Sequence, residues 1–302
     1  MRLLIADKLH PRAVEELRTL SLEVIYEPEL TRESLETRLG GIGILVVRST
    51  EVTAAAIEHA KQLNLIVRAG AEYATIDVRA ASKRGIYVAN CPGRNASAVA
   101  ELVFGLMLSL DRRIPDAVAS LRSGKWERQE YGKAEGLHGK TLGVVGLGAI
   151  GREVALRARA FGLNVVGWSR SLTPTRAAEL GIAHAASLAD LAQRSQILTL
   201  HLALNDRTRQ IVNRPVIEVL PDRALVINTA RADLVDNAAL LDAVDKRGLR
   251  VGLDVFADEP RGARTFPSAD LLRSYPSGGL VYGTPHVAAA TDQAQLSIAT
   301  ET

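Results

Sequence analysis

The chain has 302 residues, 47% hydrophobic and 24% charged, which suffices for two globular domains with separate cores and argues against a disordered polypeptide. Its formal net charge is +3, but basic and acidic residues are interspersed and no basic run is interleaved with aromatics, so no nucleic-acid partner is expected. A single cysteine, Cys91, excludes an internal disulfide framework, fits a cytoplasmic setting and reads as a small buried filler.

The N-terminal "MRLLIADKLHPRAVEEL" turns polar after five residues, which makes it a strand start rather than a signal peptide. Apolar runs at 3–6, 23–26, 44–47, 65–67 and 86–89 predict strands. Helical patterns lie between them, with Pro11 in a first turn and Thr31 and Thr53 as N-caps. A long helix is expected at roughly 96–123, kinked by Pro115. Its apolar stretch at 102–110 is too short to span a bilayer, so no membrane association is expected. The polar segment 125–140 reads as a connecting loop. A second series predicts strands near 141–145, 164–168, 197–202, 224–228, 250–255 and 280–283. Alternation of strand and helix predicts an α/β fold of two doubly wound parallel sheets.

The motif "TLGVVGLGAIGREVALRARAFG" joins a strand to an amphipathic helix through three glycines. Gly146 suits the tight turn, Gly148 the close approach of a pyrophosphate, and Gly151 the packing of helix on strand. The helix N-terminus, at Ala149 and Ile150, then offers N–H groups and a positive dipole end to phosphates. An NAD-binding chain usually places an acid at the end of the next strand, where this one has "GWSRS". Ser169 and Arg170 suit a 2′-phosphate better than free ribose hydroxyls, so the expected cofactor is NAD(P), with NADP favoured over NAD.

Three later strands end in groups capable of chemistry. Arg231 follows the first, Asp254, Asp258 and Glu259 the second, and His286 the third. Oxidation of a 2-hydroxy acid needs a base for the hydroxyl proton, which suits His286. Glu259 is placed to orient that imidazole, and Arg231 to clamp a carboxylate and polarise a carbonyl. No metal site is expected.

"VGLGAIGREVA", "INTARADLVD", "GLDVFADEP" and "TPHVAAAT" together resemble the D-isomer-specific 2-hydroxyacid dehydrogenase family, in its order and spacing. The resemblance implies Arg231, Glu259 and His286 as the catalytic set. It implies that Asp254, His201, Thr208, Thr229 and Ala230 lie at the cofactor. It also implies a flavodoxin-like substrate domain at 1–96 plus 287–302, and a Rossmann NAD(P) domain at 97–286. Substrate would lie in the cleft between them, and the closing helix at "SIATET" would return to the first domain.

The first half resembles the phosphoglycerate dehydrogenase branch, in a short form without a regulatory domain. In that branch Arg48, Ser49 and Asn95 belong to the substrate pocket, and the backbone at Ala69, Gly70 and Ala71 receives the substrate carboxylate. Arg48 and Ser49 are sensible phosphate ligands by type. The chain departs from the branch at "AEYATID", where Glu72 adds a negative charge, at Ala203 in place of a proline, and at Ser169.

The expected reaction is therefore interconversion of a D-2-hydroxy acid and its 2-oxo acid, with 3-phosphoglycerate as first candidate. Glyoxylate or hydroxypyruvate reduction is the alternative. A reading from another class is a dinucleotide-sensing protein like the corepressors that share this fold. The partners expected are the small-molecule acid and, by family analogy, a second copy of the chain through the long helix.

Overall fold

The computed structural model describes residues 1–71, 73–260, 266, 272, 274–275 and 280–302. The chain divides into two units, Met1–Ala98 with Ala289–Thr302, and Val99–Ala288. The expected limits at 96 and 286 each stand two residues short of these.

In the first unit, β1 (Arg2–Ile5), β2 (Glu23–Tyr26), β3 (Ile44–Val47), β4 (Leu65–Arg68) and β5 (Tyr87–Asn90) form a parallel sheet ordered β2-β1-β3-β4-β5. The strand order reverses at β1 and β3, which is the flavodoxin-like arrangement. Helices begin where the sequence supplies caps. The Thr31 hydroxyl accepts from Ser34 N–H in a capping box, and Thr53 accepts from Ala56 N–H. His10 caps the helix that opens with Pro11. The closing helix Asp292–Glu301 belongs to this unit: Ile298 packs against the core cluster that contains Leu3, Ile5, Val46 and Val67, and Arg94 pairs with Glu301. Cys91 is buried, with Sγ 3.4 Å from Thr302 Oγ1.

The second unit contains β6 (Thr141–Val145), β7 (Asn164–Trp168), β8 (Ala183–His184), β9 (Ile197–Leu200), β10 (Leu225–Asn228), β11 (Arg250–Leu253) and β12 (Val281–Gly283). Their order, β12-β11-β10-β9-β6-β7-β8, is wholly parallel. Counted from β6, this is the 3-2-1-4-5-6 order of dinucleotide-binding sheets with one strand added. Alternate residues face opposite cores. Leu225 and Ile227 join Leu142 and Val144 on one side, while Val226 joins Leu198, Leu200 and Val251 on the other. Both faces are covered, so the strands read as unbroken apolar runs.

Three local expectations are corrected. Instead of a kink at Pro115, helix Ala96–Arg112 ends, Arg113 adopts a left-handed φ of 51°, and helix Ile114–Arg122 begins. Proline within a continuous helix would collide with the Asp111 carbonyl and offer no N–H; in a first turn it does neither. The segment read as a loop contains a single helical turn, Arg128–Tyr131, too short and polar to show a period. Strand β8 was not anticipated, because two residues at a sheet edge carry no alternation. Among the described residues no helix is long and apolar enough to cross a membrane, and no cluster of His, Cys, Asp or Glu could hold a metal ion.

Candidate active site

Parallel register in the second unit sets the strand ends level. Trp168 lies opposite Val145, Val145 opposite Leu200, Leu200 opposite Asn228, Asn228 opposite Leu253, and Leu253 opposite Gly283. The loops leaving this row carry Ser169 and Arg170, Gly146–Gly151, His201, Thr229–Arg231, Asp254 and His286. The carboxyl edge of an open parallel sheet is where such folds bind ligands.

At the centre of the row is the glycine turn. Gly146 has φ 94°, donates to the Trp168 carbonyl at 2.8 Å, and leaves no room for a Cβ against the His201 carbonyl. A Cβ on Gly151 would strike the Gly146 carbonyl oxygen, so the helix packs tightly on β6 only with glycine there. Gly148 differs: a Cβ on it would meet nothing within 4 Å. It is the N-cap of helix Ala149–Ala160 and supplies no side-chain cap. The N–H groups of Ala149, Ile150 and Gly151 thus lack intrahelical acceptors. An open approach over an uncapped helix N-terminus suits a pyrophosphate. Nearby, the buried Thr229 hydroxyl has no hydrogen-bond partner. Ser169 is half-buried, and Arg170 is exposed without an ion pair among the described residues.

On the neighbouring strand ends, His286 Nδ1 and Glu259 Oε2 are 2.6 Å apart. The other Glu259 oxygen accepts from Phe256 N–H at 2.9 Å, so the carboxylate is held at both oxygens. This leaves Nε2 as the ring nitrogen for substrate. His286 itself has a left-handed φ of 52°. Asp254 braces that turn. Its fully buried carboxylate accepts from Thr284 Oγ1 at 2.6 Å, Val287 N–H at 2.9 Å and Ala288 N–H at 2.9 Å.

Buried Asn228 does the same for Arg231. Its Nδ2 donates to the Arg231 carbonyl at 2.9 Å, and its Oδ1 accepts from Ala230 N–H at 3.0 Å. Sequence reading missed Asn228, although an Asn directly ahead of a reactive turn is a readable sign. His201 is half-buried, with Nε2 3.0 Å from Thr199 Oγ1 and the buried Nδ1 unpartnered. Burial lowers its pKa to about 3, so this imidazole stays neutral. Thr208 braces its own loop, donating to the Ala203 carbonyl at 2.7 Å and accepting from Asn205 N–H at 2.8 Å.

In the first unit, Arg48 and Ser49 follow β3, and Asp7 follows β1. Arg48 Nη1 donates to Gln295 Oε1 at 3.3 Å. Asp7, another residue not singled out from sequence, accepts at Oδ2 from the N–H groups of Arg48 (2.6 Å), Ser49 (3.1 Å) and Thr50 (3.0 Å). The Ser49 hydroxyl donates to Oδ1 at 2.7 Å. The N–H groups expected to receive a carboxylate are partly engaged: Ala69 donates to Val47 and Gly70 to Arg68, each at 2.8 Å. The Ala71 carbonyl accepts from Asn90 Nδ2 at 2.6 Å. Asn95 is half-buried, one residue before helix Ala96–Arg112. Glu72 lies outside the described residues.

Sheet order and glycine turn are those of a dinucleotide-binding α/β protein, and the His286–Glu259 pair lies on the same sheet edge. Residues 104–288 match the model of the D-isomer specific 2-hydroxyacid dehydrogenase NAD-binding domain. The chain is 39% identical to D-3-phosphoglycerate dehydrogenase of Methanocaldococcus jannaschii, over 99% of its own length and 56% of that protein's. It thus spans about half the length of that relative. It is 37% identical to hydroxypyruvate reductase of Thermotoga maritima, over 99% of this chain and 95% of that one. Among solved structures, the acyclic imino acid reductase Bsp5, in complex with NADPH and D-Arg, superposes with a TM-score of 0.83 at 27% identity, covering 100% of this chain and 94% of that one. The chain belongs to the D-isomer specific 2-hydroxyacid dehydrogenase family, near its phosphoglycerate dehydrogenase branch.

Proposed function

We propose that the protein interconverts a D-2-hydroxy acid and its 2-oxo acid with NAD(P). The observation that carries this reading is the Glu259–His286 bond, on the sheet edge that also holds the open glycine cradle.

Gly146, Gly148, Ala149, Ile150 and Gly151 would hold the pyrophosphate, and the nicotinamide supplies or accepts the hydride when bound. His286 Nε2 takes the substrate hydroxyl proton during oxidation and returns it during reduction. Glu259 keeps the imidazole proton on Nδ1 and stabilises the imidazolium form. Arg231 pairs with the substrate carboxylate and polarises the carbonyl oxygen. Asn228 and Asp254 hold the turns that present these groups. His201, Thr208, Thr229, Ala230 and Asp254 border the nicotinamide side.

Ser169 and Arg170 favour NADP, since Arg170 has no competing ion pair among the described residues and no acid stands at this strand end. On the first unit Arg48, Ser49, Ala69, Gly70, Ala71 and Asn95 would contact substrate. The relatives' names support two three-carbon pairs, those of 3-phosphoglycerate and of hydroxypyruvate, with glyoxylate as a smaller analogue. We assign the working protein to the cytoplasm and to a dimer.

Steady-state assays with NADPH and NADH against hydroxypyruvate, phosphohydroxypyruvate and glyoxylate test the reading. Turnover of at least one acid is expected, with NADPH preferred. His286→Ala should lower kcat by a factor of ~10²–10⁴; wild-type rates in that variant would overturn the mechanism. Unchanged NADPH preference in Arg170→Ala would overturn the assignment of the 2′-phosphate to Arg170.

A further inference from the structure

The catalytic groups stand at the carboxyl edge of the second sheet, and a separate cavity lies at its amino edge. Arg223 precedes β10, Gly248 precedes β11, Arg250 begins it, and Leu280 precedes β12. With the end of helix Ala96–Arg112 and the segment around Tyr131, these residues line a cavity of about 320 Å³. That volume holds a compact organic ligand and not only water. The strand β11 has four residues, so ~13 Å of backbone separates the cavity from Asp254 and the turn it braces.

Five cations and three carboxylates line the cavity. The carboxylates are already engaged. Glu130 accepts from Lys133 at 2.8 Å and from Arg113, and Glu135 accepts from Lys140 at 2.7 Å and from Arg223 at 2.9 Å. Buried Asp111 accepts from Gly136 N–H at 3.1 Å. Arg112 and Arg250 have no ion pair among the described residues, which leaves the lining with two positive charges in excess.

Arg250 is the more telling of the two. Its Nε is shut off from water and has no hydrogen-bond partner. Folded proteins rarely leave a buried donor orphaned, and a donor on a permanent cation is costlier still. Burial lowers the Arg250 pKa, and the charges of Glu135 and Asp111 offset this only in part. A guanidinium that has already lost part of its hydration gains more from an oxyanion than a fully hydrated one does. Leu110, Ala134 and Leu280 add apolar lining, which suits a short carbon skeleton between charged ends.

We propose that this cavity binds a small organic dianion, a dicarboxylate or a phosphate monoester, with Arg250 as its principal ligand and exposed Arg112 as the second cation. Guanidinium groups take carboxylate and phosphate oxygens in the same two-pronged way, so both sources share one recognition chemistry. The site lies within the second unit and shares no residue with the glycine cradle or with Arg231, Glu259 and His286. It stands whether or not the dehydrogenase reading does.

Calorimetric titration with succinate and with glycerol 2-phosphate tests the proposal. Binding of either probe at the catalytic edge is common to wild type and variants, so the comparison isolates the cavity. At least one probe should bind wild type, and Arg250→Gln should weaken it about tenfold or more. Arg112→Gln should weaken it about threefold, and its exposed side chain keeps the test open if Arg250→Gln does not fold. Dinucleotide affinity should be the same in all three proteins. Binding of succinate alone identifies a dicarboxylate site, and binding of glycerol 2-phosphate alone a phosphate site. Failure of both probes to bind wild type would overturn the proposal, as would affinities within twofold of wild type in both variants.

Discussion

Two histidines leave the same sheet edge and end in opposite environments. His286 is half-exposed and bonded to a carboxylate, whereas half-buried His201 has a threonine hydroxyl on one nitrogen and, on the buried other, no partner. Burial without an anion lowers the His201 pKa to about 3. The unfolded chain binds this proton below about pH 6.5, and the folded chain does not until far lower. Stability is therefore present above pH 6.5 and lost as pH falls toward 3, by ~1.4 kcal/mol per pH unit. Urea unfolding at pH 7 and pH 5 should show wild type losing about 2 kcal/mol more than His201→Gln over that interval. Equal losses would show that His201 is not the group responsible. Sequence placed His201 beside the cofactor by resemblance, but its neutrality follows from tertiary burial that no local pattern encodes. The same holds for Asp254: its position was readable, while its three bonds to the Thr284–Ala288 turn depend on β11 lying beside β12.

At the scale of elements, the glycine motif separates packing from binding. Gly151 is closed by the Gly146 carbonyl, while Gly148 opens onto empty space. Gly151→Ala should push the helix off β6 and lower Tm by several degrees, since overpacking costs about 1–3 kcal/mol. Gly148→Ala should leave Tm unchanged and weaken dinucleotide affinity tenfold or more, read by fluorescence titration. A reversed pattern would mean that the pyrophosphate does not approach Gly148. This motif was legible because strand, turn and helix are adjacent in sequence. Thr31 and Thr53 were legible as caps for the same reason. Strand β8 was not, having two residues, and neither was the break at Arg113, where a residue with no special propensity takes φ 51° to accommodate a proline two positions later.

At the scale of the molecule, the alternation of strand and helix predicted two parallel sheets, and the order of strands within each follows from handed connections. What alternation does not reveal is that the last helix packs with the first unit, since that is a contact between residues more than 200 positions apart, as in the Arg48–Gln295 bond. Association between copies is likewise a property of surface, not of period. Helix Ile114–Arg122 buries none of its residues. Its Ile114, Val118 and Leu121 are 45%, 40% and 55% exposed, at spacings of four and three that place them on one stripe, and Trp126 nearby is 81% exposed. An apolar stripe with a tryptophan beside it is the composition of an interface core. We propose that a second copy covers it, because a twofold contact lets a self-complementary stripe pair with itself. Light scattering should give a dimer mass for wild type at micromolar concentration. Val118→Asp combined with Trp126→Ser should give a monomer, with the circular dichroism spectrum unchanged because neither side chain is part of a core. A wild-type monomer, or a variant that remains dimeric, would place the interface elsewhere or remove it.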